Sequence, residues 1–194
     1  MIEFKTRNQV INFCPTGGTL LELGVLNGDF TQTYIQEAIK RDITVYLVDA
    51  WTNGETTAEV YKDWDINYFN RAYDRVQFLF RNFPNIKIIK SNSIDFSYII
   101  EDGFFDVAYF DCDHTFKGVF KELKHLLPKV KEGGYVGFHD FPPFGPEHSK
   151  HNNYEFGVHD AAYQYFNPEA FTLTGETEPY YKSAIVQNIK ENRR

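Results

Sequence analysis

Thr19-Leu20-Leu21-Glu22-Leu23-Gly24-Val25-Leu26-Asn27-Gly28 is an apolar run that stops at one glycine, turns, and reaches a second glycine four residues on. A short apolar run bounded by turn residues reads as a buried strand. Asn27-Gly28-Asp29 then leads a helical pattern through about Arg41. Four more apolar runs end in polar residues. Thr44 to Val48 runs into Asp49, and Ile86 to Lys90 into Ser91-Asn92-Ser93. Phe105 to Phe110 runs into Asp111, and Tyr135 to Phe138 into His139-Asp140. Strands alternating with helical patterns imply a parallel sheet covered on both faces. Ligands of such sheets bind beyond the carboxyl ends of the strands, so the polar termini outline a ligand site.

The intervening stretches fit. Tyr61, Trp64, Tyr68, Ala72, Val76, Leu79 and Phe83 recur at steps of three and four, a helical stripe closed by Pro84-Asn85. A weaker helix is expected from Ser93 to Ile100. A clearer one carries Phe116, Val119, Leu123, Leu126 and Val130, with Gly133-Gly134 as the turn into the fifth strand. Phe141 to Phe156 reads as a long irregular loop, placed to cover a site. A helix from Gly157 to Phe166 follows, then two closing strands, Ala170 to Thr174 and Ser183 to Val186, as a hairpin. The last residues, Lys190 to Arg194, are expected to fray. The expected fold is α/β: a doubly wound, Rossmann-like sheet of about seven strands, mostly parallel, with a C-terminal antiparallel hairpin.

At 194 residues the chain is long enough for one well-buried domain, and residues 1–194 are read as one. A net charge of -7 without a basic stretch argues against nucleic acid, which needs clustered Lys and Arg. Cys14 and Cys112 are too few for a disulfide framework, and a small buried thiol is the ordinary reading of Cys112. The N-terminus lacks the layout of a signal peptide and no run reaches the length of a membrane span, so a cytoplasmic protein without membrane contact is expected. The oligomeric state stays open, a homo-oligomer included.

Two constellations carry chemistry. In the first, Glu22 to Gly28 gives E-x-G-x-x-x-G. Position 26 is Leu, so the dinucleotide fingerprint is missing. Glycines there permit positive φ and close approach of a ligand, although a tight ligand-free connection uses them too. Glu22 lies inside an apolar strand and needs a partner or a ligand. Asp49 ends the second strand, where a carboxylate can accept hydrogen bonds from a ribose diol, and Trp51 is placed to stack on a purine. In the second, Asp111-Cys112-Asp113-His114 and His139-Asp140 end adjacent strands, gathering three carboxylates and two imidazoles. Like charges at that range call for a cation, and a divalent metal would serve. For His125, His148, His151 and His159 a surface or core role is the simpler reading.

Leu20 to Val186 resembles a class I S-adenosylmethionine-dependent methyltransferase. The resemblance implies that Glu22, Gly24, Asn27 and Gly28 cradle the amino-acid end of the cofactor and that Asp49 holds its ribose. It puts Trp51, Asn92 and Ser93 around the adenine, with Asp111 bordering the same site. Phe105 to His114, Gly133-Gly134 and Phe138 to Phe141 narrow it to the branch resembling macrocin-type sugar O-methyltransferases and cephalosporin-hydroxylase-like proteins. That branch implies Asp111 and Asp140 as ligands of a divalent metal (Mg or Mn), with Asp113 as base. The chain departs from it at His139, where the sugar enzymes carry an acid; His139 is thus a third ligand or, with Asp113 and His114, a catalytic acid–base group. The implied activity is O-methylation of a small-molecule acceptor, a sugar hydroxyl included. Two alternatives stay open. A metal-dependent hydrolase or oxygenase leaves Glu22, Gly24 and Asp49 without a role. A non-catalytic nucleotide-binding protein leaves the Asp/His cluster without one.

Overall fold

The computed structural model describes residues 4–52, 65–141, 150–151, 154–175 and 182–194. Its main strands are β1 (Thr19–Leu23), β2 (Thr44–Asp49), β3 (Ile86–Lys90), β4 (Phe105–Phe110) and β5 (Val130–Phe138). The helices between them are α1 (Asp29–Lys40), α2 (Ile66–Phe80), α3 (Ser93–Ser97) and α4 (Phe116–Leu126). Beyond β5 lie the short pair β6 (Lys150–His151) and β7 (Tyr154–Glu155), then α5 (Val158–Ala162), β8 (Thr172–Leu173) and β9 (Ala184–Gln187). The seven-stranded sheet runs β3-β2-β1-β4-β5-β9-β8. β1 to β5 are parallel, while β9 lies antiparallel to β5 and β8 to β9. The expected fold is therefore the observed one.

Strand alternation assigns each side chain to a layer. Leu20, Val45, Val107 and Tyr109 face α1, α2 and a 3-10 helix at Arg7–Phe13. Leu21, Leu23, Ala108, Phe110, Val136 and Phe138 face the opposite layer, with Val119, Leu123 and Leu126 of α4. Glu22 falls on the α1 side and is completely buried.

Order reverses between β1 and β4, so the crevice of an open α/β sheet is expected at their carboxyl ends. Backbone hydrogen bonds continue past those ends. Gly24 N–H donates to Val48 O, Asp111 N–H to Leu23 O and His139 N–H to Phe110 O, at 2.9–3.0 Å. Phe110 stacks on Phe138 with ring centroids 5.5 Å apart. Such a pair contributes about 0.5–1.5 kcal/mol beyond its buried area. Here it fixes β4 beside β5 one residue before each chemical motif.

Local expectations differ in places. Gly133-Gly134 lies inside β5 rather than in a turn before it. The β4–β5 register shifts between Phe105 and Val107, and a Cβ on Gly134 would meet Asp106 O at 2.7 Å, so the glycines serve a bulge. The C-terminus does not fray. Arg193 donates to Asn188 Oδ1, and its backbone bridges to Phe166. Asp106 stitches the start of β4 by accepting from Thr19 N–H and pairing with Lys131, each at 2.8 Å. Tyr61, Trp64, His148 and most of the proposed covering loop lie outside the described residues. Among the described residues no helix is long and apolar enough to cross a membrane.

Candidate active site

A cleft of about 530 Å³ opens at the carboxyl edge of the sheet. Gly24, Asp49, Asn92, Ser93, Asp111 and Asp113 all line it. Asn92 caps α3, its Oδ1 accepting from Asp95 N–H at 2.8 Å, and so stands at the mouth beyond β3.

The turn after β1 is built by Asp49. Its Oδ2 accepts from the N–H groups of Val25 and Leu26, both at 2.9 Å, and its Oδ1 from Trp51 N–H at 2.7 Å. Burial raises its pKa while these three backbone donors pull the other way. A carboxylate offers about four acceptor positions. Three are filled from the backbone, so a ribose could use one more, not the pair expected of a diol. Trp51 is not placed for the expected purine stack. It is completely buried, donates its indole N–H to Leu26 O at 2.8 Å, and lies against Tyr73.

Close packing of backbone demands the glycines here. Gly24 has φ +81, and a Cβ on it would meet Asp111 O at 2.0 Å. Gly28 caps α1 at φ +76, with the Phe80 ring 3.0 Å from where its Cβ would be. Asn27 is turned away to α2, donating to Tyr68 OH at 2.9 Å. Glu22 does not touch the cleft. Thr31 Oγ1 donates to both its oxygens at 3.0–3.1 Å, Tyr34 OH also donates, and burial pushes its carboxyl up to about 8.

Beside the cleft, Asp111, His114, His139 and Asp140 each present a ligand atom, all within 4.8 Å of one another. His114 Nε2 lies 3.1 Å from Asp140 Oδ2 and 3.3 Å from Asp111 Oδ1. His139 Nδ1 lies 3.0 Å from Asp111 Oδ1 and 3.5 Å from Asp140 Oδ2. Asp140 adopts φ +49, and its Oδ1 is buried without a partner among the described residues. Burial opposes ionisation of Asp111, but the two imidazoles overcome it and hold the carboxyl well below its usual range. Conversely, despite burial, Asp111 and Asp140 raise His114 and push His139 up to about 10.

One participant is absent from the sequence reading. Arg7 Nη1 lies 3.2 Å from His139 Nε2 and 3.5 Å from Asp111 Oδ2, with the guanidinium over Phe30. No Lys or Arg lies in either motif, and the fold brings one in from outside them. A guanidinium can only donate, so the Arg7 contact selects a neutral His139 with its proton on Nδ1. The carboxylates favour the doubly protonated ring, so the two sets of neighbours pull His139 toward different states.

Asp113 stands apart from these four. Its Oδ1 accepts from Thr115 N–H and Oγ1–H, both at 2.8 Å, and Thr115 Oγ1 accepts from Gly118 N–H. A Cβ on Gly118 would strike the Asp113 carboxyl at 2.0 Å. This geometry anchors one oxygen of the expected base at the start of α4. His159 pairs with Asp160 and His125 meets the Tyr98 ring, in line with their simpler readings.

A family model described as "Methyltransferase domain" matches residues 21–141, from β1 to just past His139-Asp140. Among solved structures, a Corynebacterium glutamicum protein superposes with TM-score 0.62 at 8% identity, covering 98% of this chain and 85% of its own. The N-methyltransferase NodS from Bradyrhizobium japonicum gives TM-score 0.59 at 14% identity, with 94% and 93% covered. A SAM-dependent methyltransferase from Aquifex aeolicus gives 0.57 at 18%, with 96% and 90% covered. Identities this low carry the fold and no more. No curated protein matches the chain in sequence.

Proposed function

The chain belongs to the methyltransferase-domain family, whose model spans residues 21–141, and from that premise we propose methyl transfer from S-adenosylmethionine to a small-molecule hydroxyl, assisted by a divalent cation. The observation that carries this reading is the shared wall: Asp111 lines the cleft and belongs to the four-residue cluster. A donor bound in the one and an acceptor bound at the other would meet there.

The residues fit both groups. The cleft volume is in the range of cofactor sites, with Gly24, Asp49, Asn92 and Ser93 along its wall to hold the cofactor. For the cation, bonds of about 2.1 Å separate neighbouring ligand atoms by roughly 3.0–3.4 Å. The cluster's nitrogen–oxygen distances of 3.0–3.5 Å lie close to that spacing, with all four ligand atoms within 4.8 Å of one another. Two imidazoles with two carboxylates favour manganese or another transition ion over magnesium. When bound, the cofactor supplies an electrophilic methyl group, and the cation lowers the pKa of the acceptor hydroxyl. Asp140 Oδ1, buried and without a partner among the described residues, is the acceptor assigned to the departing proton once a bound acceptor opens the site to it. Asp113 is the less available acceptor because Thr115 already occupies its Oδ1.

Within the family, the Asp111 to His114 and His139-Asp140 motifs favour the sugar O-methyltransferase branch, and a net charge of -7 favours a small acceptor over nucleic acid. The Arg7 contacts favour a second reading, an acid–base site with the guanidinium in the cation's place. Calorimetry with S-adenosylhomocysteine and NAD tests the cofactor; binding of NAD alone overturns it. Turnover in excess chelator separates the two readings. The cation reading expects loss of transfer with cofactor affinity retained, and full activity there leaves the acid–base site.

A further inference from the structure

α4 presents Val119, Glu122, Leu123 and Leu126 to the sheet, one helical stripe at steps of three, one and three. Three members are apolar and the fourth is a glutamate, only 4% exposed. Glu122 Oε1 accepts from Ser93 Oγ at 2.8 Å and from Cys112 Sγ at 2.6 Å. Its Oε2 is buried and has no partner among the described residues. Burial pushes the carboxyl up to about 7, against the two donors on Oε1.

A carboxylate on an inward helical stripe is unfavourable unless something completes its hydrogen bonding. An apolar side chain would fill the position without that need. Glu122 also lines the cleft, beside Ser93 and Cys112. Oε2 is shielded even from the cleft, so a donor carried by whatever occupies the cleft meets it once the carboxylate turns toward that space.

We propose that Glu122 Oε2 accepts a hydrogen bond from the exocyclic amine of the cofactor's adenine, so that Glu122 selects a 6-amino over a 6-oxo purine. This rests on the cofactor reading above. The base is placed by its neighbours: Asp49 stands at the end of β2, Asn92 and Ser93 follow β3, and Glu122 lines the same cleft, bonded to Ser93. Adenine offers N–H at its 6 position. A 6-oxo ring brings an oxygen to the same place, and two acceptors then face each other. Sites built to pair a buried polar group reject the analogue that leaves it unpaired.

The test is calorimetric binding of S-adenosylhomocysteine and S-inosylhomocysteine at pH 8 to the wild-type chain, Glu122→Leu and Glu122→Met. The readout is the ratio of the two affinities, because a general loosening of the cleft weakens both ligands together. The wild type should prefer the adenosyl compound by tenfold or more, and each variant should bring the ratio to within about threefold of unity. Equal wild-type binding of both compounds overturns the role of Glu122 and leaves the cofactor reading standing. So does an unchanged ratio in a variant that melts cooperatively. Should neither variant fold, the wild-type ratio alone decides. No wild-type binding of either compound refutes the cofactor reading itself, and this inference with it.

Discussion

Arg7 Nη1 lies 3.2 Å from His139 Nε2, across 132 positions of sequence. The contact is available only while Nε2 carries no proton. A cation bound at His139 Nδ1 requires a proton on Nε2, which would then point at the guanidinium. Arg7 and a cation at the cluster thus compete, both through the imidazole and through like charge. Arg7→Met should tighten manganese binding by roughly 10-fold, the scale of changes around a metal's ligands. Titration of wild type and variant measures it. Unchanged or weaker binding would show that Arg7 supports the site rather than competing for it.

Asp49 should behave as an architectural residue as well as a binding one. Removing it leaves the N–H groups of Val25, Leu26 and Trp51 without their acceptor. Asp49→Ala is expected to lower unfolding free energy by about 2–4 kcal/mol, as for other broken buried networks. Urea denaturation without ligand measures this separately from cofactor affinity. Weakened binding with unchanged stability would mean that the turn stands without it.

Two glycines with the same backbone twist should respond differently to alanine. Gly24 and Gly133 have φ +81 and +83, but a Cβ on Gly24 meets Asp111 O at 2.0 Å while one on Gly133 meets nothing within 4 Å. Gly133→Ala should cost about 1–2 kcal/mol, the left-handed penalty alone. Gly24→Ala should cost more than about 3 kcal/mol, since two strand ends must separate. Melting curves compare them, and equal losses would show that β1 and β4 yield easily at that point.

Glu22 should make stability depend on pH in a recognisable window. Its folded pKa of about 8 stands above the ordinary value of 4.5. The unfolded chain therefore gives up this proton first as pH rises. The stabilising contribution is complete below about 4.5 and fades as pH climbs through 8. Glu22→Gln cannot ionise. The wild-type-minus-variant stability difference should fall from pH 5 to pH 9 by an amount on the order of a few kcal/mol. A flat difference would mean that Glu22 is ionised throughout in the folded state.

Much of this architecture is legible in the chain because strands announce themselves locally. Each of Gly24, Asp49, Ser91, Asp111 and His139 follows an apolar run, and in a parallel sheet every such end falls on one edge. What escapes the sequence is partnership. Trp51 looks like a stacking platform, but only the fold reveals that Leu26 O takes its indole N–H. Asp113 looks like a base, but only the fold reveals that Thr115 and Gly118 hold one of its oxygens at α4. Gly133-Gly134 carries the same letters whether it turns a chain or bulges a strand. Arg7 left no trace in the motifs. Thr6-x-x-Gln9 does signal a helix start, and Gln9 Oε1 accepts from Thr6 N–H at 3.3 Å. Nothing local says that this helix delivers a cation to the ends of β4 and β5.

Among the described residues, Asp111 alone of the four cluster residues lines the cleft. Two ligands that share one carboxylate are thermodynamically linked, whatever the sign of the linkage. The factor by which a cation alters cofactor affinity must equal the factor by which the cofactor alters cation affinity. A demethylated cofactor, which lacks the sulfonium charge, would carry a different factor. Turnover would then change the hold on the cation at each cycle, and a single side chain would set the order in which the ligands arrive and leave.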